Sequence, residues 1–74
     1  MWQPQGAPWL TPLQHEIVIL VTNGLTNQEI ANRFGITPGQ VGTQVGRILQ
    51  RLGLTRRVEI AALGRLDRLG VASH

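Results

Sequence analysis

At 74 residues the chain is one domain at most, close to the lower size at which a single apolar core holds a fold. Its 42% hydrophobic and 15% charged residues are those of a globular domain, and no apolar run approaches the roughly 20 residues that span a bilayer. A net charge of +3 permits polyanion binding without demanding it, and the absence of cysteine excludes a disulfide framework, a thiol nucleophile and a cysteine-based zinc site.

Residues 1–9, MWQPQGAPW, hold two Trp, two Pro and a Gly without periodicity and are expected to form a flexible tail or linker remnant. They lack the basic start and apolar centre of a secretion signal, so the expected address is cytoplasmic. Thr11-Pro12-Leu13-Gln14 then supplies a capping Thr, a Pro at the first helical position and a Gln at the third. Gly24 closes this helix, predicted over 12–23, and Leu13, Ile17, Leu20 and Val21 form its buried stripe. Thr26-Asn27-Gln28-Glu29 is a second capping box, with Leu25 and Ile30 as a hydrophobic staple, and opens a short helix over 27–34 that Gly35 ends. Thr37-Pro38-Gly39-Gln40 is a third box, stapled by Ile36 and Val41. It opens a helix over 38–52 whose apolar face is Val41, Val45, Ile48, Leu49 and Leu52. After Gly53, Thr55 is expected to cap a fourth helix over 56–69, with Val58, Ile60, Ala61, Leu63, Leu66 and Leu69 at its apolar positions. No segment reads as a strand. The predicted fold class is all-α, a four-helix bundle folded over residues 10–70 with a C-terminal tail at 71–74.

The second and third helices carry a recognisable constellation. Ala31 is the small residue needed where two helices cross closely, Gly35 provides the turn, and Val41 is the branched apolar residue that packs behind it. Spacings of four and six residues between them fit two helices joined by a tight turn at about 90–120°, a helix-turn-helix. No nucleophile–base set or titratable pair stands in the sequence, and His15 and His74 have no metal-ligand spacing, so neither an enzyme nor a metal or other cofactor is expected.

The string from Leu10 to Leu63 resembles the LuxR-type DNA-binding domain found at the C-terminus of many bacterial response regulators. The resemblance is carried by Leu10-Thr11-Pro12, Glu16, Gly24-Leu25-Thr26-Asn27, Glu29-Ile30-Ala31, Gly35-Ile36-Thr37, Val41, Ile48, Leu52-Gly53 and Arg57-Val58-Glu59. It implies a transcriptional regulator whose third helix enters the major groove of double-stranded DNA, whose second helix braces it, and whose fourth supports a homodimer on DNA. It also implies a sensor or receiver domain in a longer parent protein. The family's run of roughly T-E-x-T-V-K-x-H is here Thr37-Pro38-Gly39-Gln40-Val41-Gly42-Thr43-Gln44, so the framework is kept and the reading surface is altered.

At 100° per residue, Gly39, Thr43, Arg47 and Gln50 lie opposite the apolar arc, with Gly42 and Gly46 on one flank and Gln40, Gln44 and Arg51 on the other. The base-edge candidates are Gln40, Thr43, Gln44 and Arg47, with the glutamines expected on adenine. The phosphate candidates are Thr26, Asn27, Arg33, Arg51, Arg56 and Arg57, Arg57 having an ion pair with Glu59 or a helix-end contact as its alternative role. Glu29 is expected as a capping partner and Glu16 as the partner of an arginine. Ile60, Leu63 and Leu66 are the dimer candidates, with an internal core as the other use of that face. Gly39, Gly42 and Gly46 admit three explanations: close approach of the backbone to DNA, close packing of a partner helix, or relaxed selection for reading. The second of these defines an alternative function, a protein-interaction module on a helix-turn-helix frame.

Overall fold

Three threonines decide where three of the helices begin. In the computed structural model, which describes residues 10–72 with side chains given for 10–66, the order is α1 (Pro12–Thr22), α2 (Asn27–Phe34), α3 (Pro38–Leu52) and α4 (Arg57–Ala72). Thr11, Thr26 and Thr37 each close a complete capping box: the hydroxyl accepts from the backbone N–H three residues on, and the Gln or Glu there accepts from the threonine's own N–H. Two donors per helix start are thereby satisfied, an arrangement worth about 1 kcal/mol at each end. Gly35 (φ 67°) and Gly53 (φ 69°) terminate α2 and α3 in the left-handed conformation that favours glycine.

The fourth start differs from expectation. Thr55 does not cap α4; the Glu59 carboxylate reaches back and accepts from the N–H groups of both Thr55 (2.8 Å) and Arg56 (2.7 Å). The helix begins at Arg57 and continues to Ala72, past the expected 69, so Val71 and Ala72 belong to α4 rather than to a tail. The expected N-terminal tail 1–9, with Trp2 and Trp9, lies outside the described residues, as do residues 73–74 and the side chain of Leu69.

Each helix contributes a fully buried branched residue to one core: Ile17 from α1, Ile30 from α2, Val41 and Ile48 from α3, and Ile60 from α4. Fully burying such a side chain stabilises by about 1.5–3 kcal/mol. Helix α1 packs on α3 and α4, α2 packs on α3, and α3 touches α4. Helices α2 and α3 are joined by residues 35–37 alone, and Ala31 of α2 has no exposed surface. Among the described residues there is no strand, and no helix is long and apolar enough to cross a membrane.

Candidate nucleic-acid interface

Helix α3 has one face in the core and one in solvent. Val41, Val45 and Ile48 are buried, whereas Gly39, Gln40, Thr43, Gly46, Arg47, Gln50 and Arg51 are exposed. The neutral Pro38 and Gln40 leave its first turn without an acidic residue, so the positive end of the helix dipole is uncompensated there. Gln40, Thr43, Gln44 and Arg47 border one shallow hollow of about 230 Å³, shared with Leu13 of α1 and Ile36 of the turn. The four base-edge candidates therefore converge on a single concavity.

Internal hydrogen bonds constrain three of the four. Gln40 accepts from the Thr37 N–H (2.8 Å), Thr43 donates its hydroxyl to the Gly39 carbonyl (3.1 Å), and Gln44 accepts from the Gln14 side-chain amide (3.1 Å). Arg47 is exposed. For either glutamine to meet adenine with both amide groups, its oxygen would have to use its second lone pair, because the first already accepts a hydrogen bond within the protein. Gln14, which reads in the sequence only as a cap, is the hydrogen-bonding neighbour of Gln44 that pattern alone missed. The signal was present, since a Gln at the third position of a capping box has an N–H₂ to spare that a Glu lacks.

The phosphate candidates divide. Thr26, Arg33, Arg51 and Arg56 are exposed. Asn27 and Arg57 are half-buried and bound to each other: the Arg57 guanidinium donates to the Asn27 amide oxygen and, at 2.7 Å, to the Leu25 carbonyl. Arg57 thus ties the start of α4 to the start of α2, which is the helix-end role weighed against a DNA contact. At the α2 terminus Glu29 occupies the place an incoming phosphate would want. The Thr26 N–H and hydroxyl hold its carboxyl below the ordinary range for glutamate, and the N–H groups of Thr55 and Arg56, aided by the Arg56 charge, do the same for Glu59. Glu16 is exposed.

The glycines of α3 are not demanded by the domain's own packing. A Cβ on Gly42 would stand 3.7 Å from the Asn27 amide nitrogen, one on Gly39 3.8 Å from the Thr37 hydroxyl, and one on Gly46 would meet nothing within 4 Å. Of the dimer candidates, Leu63 and Leu66 are exposed at 41% and 65%; Val58, on the same helix, is exposed as well. Ile60 is corrected: it is fully buried in the core and offers no surface to a second copy.

A family model for bacterial regulatory proteins of the luxR family matches residues 8–63. The chain is 39% identical over 51 residues to a protein of Mycobacterium bovis described as an HTH-type transcriptional regulator, covering 69% of this chain and 6% of that protein. It is 37% identical over 60 residues to the nitrate/nitrite response regulator protein NarL of Escherichia coli, covering 81% of this chain and 28% of NarL. It is 36% identical over 52 residues to the DNA-binding transcriptional activator DevR/DosR of Mycobacterium tuberculosis, covering 70% of this chain and 24% of that activator. The chain spans less than a third of the length of each of these relatives. No solved structure matches it. With the helix-turn-helix of α2 and α3 in place and the family model covering residues 8–63, the chain belongs to the luxR family of bacterial regulatory proteins.

Proposed function

We propose that this chain is a DNA-binding transcription regulator module that inserts α3 in the major groove and binds as a homodimer to paired half-sites. The observation that carries this reading is the two-faced α3. One side anchors in the core through Val41, Val45 and Ile48, and the other gathers Gln40, Thr43, Gln44 and Arg47 at one exposed hollow. An α-helix fits the major groove, where each base pair displays a distinct pattern of donors and acceptors. The open flank at Gly42 and Gly46 lets the helix backbone approach the sugar-phosphate wall. Arg33, Arg51 and Arg56 supply exposed positive charge for phosphates, while Asn27 and Arg57 hold the frame. Leu63 and Leu66 of α4 form the contact between copies, which would set two reading helices about one DNA turn, roughly 34 Å, apart. A receiver or sensor domain in a longer parent protein, of the kind the response-regulator relatives suggest, would control that pairing.

The test is a fluorescence anisotropy titration against a pool of randomised duplexes across ionic strengths. Binding that weakens linearly in log salt supports the reading. Absence of binding at low salt would remove it.

The same open flank favours the alternative, a partner helix packed on Gly42 and Gly46. Gly42→Lys and Gly46→Lys separate the two: lysines facing DNA tighten binding or shift its preference, whereas lysines in a protein groove abolish the protein complex.

A further inference from the structure

We propose that Gln14, a residue of α1 outside the reading helix, fixes the polarity of Gln44 and so determines which base edge Gln44 selects. This inference rests on the DNA reading above and deepens it.

The starting point is a backbone N–H, which can only donate. The Thr11 N–H points at the Gln14 side chain at 3.0 Å, so the Gln14 group facing it must be the amide oxygen. That choice turns the Gln14 N–H₂ toward α3, where it meets Gln44 at 3.1 Å. A donor there requires an acceptor, so Gln44 presents its amide oxygen to Gln14 and keeps its own N–H₂ for whatever enters the hollow. Gln14 is 4% exposed, which holds the first link of this chain in place. The same logic acts one turn earlier on α3. The Thr37 N–H engages the Gln40 oxygen at 2.8 Å, and Gln40 likewise keeps its N–H₂.

Arg47, on the same hollow, is a donor without acceptor capacity. Thr43, its hydrogen given to the Gly39 carbonyl, retains the acceptor role among these four residues. With one lone pair of each amide oxygen taken inside the protein and each N–H₂ left over, the groups that suit Gln40 and Gln44 are acceptors. In the major groove these are guanine O6 and N7, thymine O4 and adenine N7, but adenine sets its N6 amino group beside N7 and cytosine offers only its N4 amino group, so both bring donor against donor. Leu13 and Ile36, lining the same hollow, suit the C5-methyl group that accompanies thymine O4. The structure thus points to guanine or thymine on the strand facing Gln44.

The decisive variant is Gln14→Glu. A glutamate still accepts from the Thr11 N–H and preserves the capping box, but it has nothing to donate to Gln44. Gln44 must then turn its N–H₂ toward the introduced carboxylate and offer its oxygen to DNA, reversing the preference to adenine or cytosine at that one position. The experiment selects binding sites from a randomised duplex library with the wild-type chain, Gln14→Glu, Gln14→Leu and Gln44→Ala, after circular dichroism has shown each to be helical. Gln44→Ala locates the position by erasing its preference.

The wild type is expected to enrich guanine or thymine there on the order of fivefold, equivalent to about 1 kcal/mol. Gln14→Glu reverses that ratio, Gln14→Leu flattens it, and preferences at other positions stay in place. Enrichment of adenine or cytosine by the wild type, or an unchanged preference in Gln14→Glu or in Gln14→Leu, overturns the proposal while leaving DNA binding intact. No binding by the wild type at low salt removes the DNA reading itself, and this inference with it.

Discussion

Thr22, in the last turn of α1, stands against Gly64 of α4 so closely that a Cβ on Gly64 would lie 2.0 Å from the Thr22 hydroxyl oxygen. That oxygen is held in place by donating to the Val18 carbonyl at 2.7 Å. Gly64 is the close-approach glycine of this fold, and it permits the crossing that brings α4 down on α1. Gly64→Ala is expected to destabilise by about 1–3 kcal/mol, the range for overpacking, although helix propensity alone favours alanine by about 1 kcal/mol. Urea denaturation gives the sign. Adding Thr22→Ala should recover much of the loss, whereas adding Thr22→Ser, which keeps the hydroxyl, should not.

The glycines of the reading helix predict the opposite sign. Nothing lies within 4 Å of a Cβ on Gly46, and one on Gly42 makes only an ordinary contact at 3.7 Å. Gly46→Ala and Gly42→Ala should each stabilise the domain by about 1 kcal/mol in thermal denaturation. If the flank lies against DNA, the same alanines weaken binding even as they raise the melting temperature.

Arg57 and Arg47 should separate stability from DNA affinity. The Arg57 guanidinium joins Asn27 and the Leu25 carbonyl, so Arg57→Ala is expected to cost about 1.5–3 kcal/mol of stability, the range for hydrogen bonds to a charged group. A double-mutant cycle with Asn27→Ala should show coupling between the two. Arg47→Ala should leave stability nearly untouched and lower the salt dependence of DNA binding by about one unit of slope. A loss of slope in Arg57→Ala equal to that in Arg47→Ala would place Arg57 on phosphate after all.

Acid should loosen the starts of α2 and α4 together. Glu29 and Glu59 titrate below the ordinary glutamate range, because backbone N–H groups bind their charged forms. Folded values below the unfolded one mean that the stability they contribute is complete above that pH and is lost as pH falls through the folded values. Glu29→Gln and Glu59→Gln should therefore flatten the acid limb of a pH–stability profile, with little change in its shape near neutrality.

Most of the frame was legible in the sequence. Thr11, Thr26 and Thr37 with their partners three residues on, Gly35 and Gly53 as stops, and the stripe through Val41, Val45 and Ile48 located α1, α2 and α3 within a residue. These signals are local: a cap acts within one turn, and an apolar stripe repeats within one helix. The luxR resemblance was legible for the same reason, since it rests on this framework. The start of α4 was located within a residue too, but its cap was misread, because Glu59 serves two N–H groups from inside the helix, which a search for a capping threonine overlooks.

What the tertiary structure alone decided is how side chains far apart in sequence share their hydrogen bonds. Gln14 and Gln44 are 30 residues apart, as are Asn27 and Arg57. In the linear chain each of these reads as an independent surface polar group. Only the angles at which the helices dock determine that Arg57 spends its charge on the frame, that Ile60 is core, that Gly64 must lack a side chain, and that Gln44 arrives at the hollow with one half of its amide already engaged.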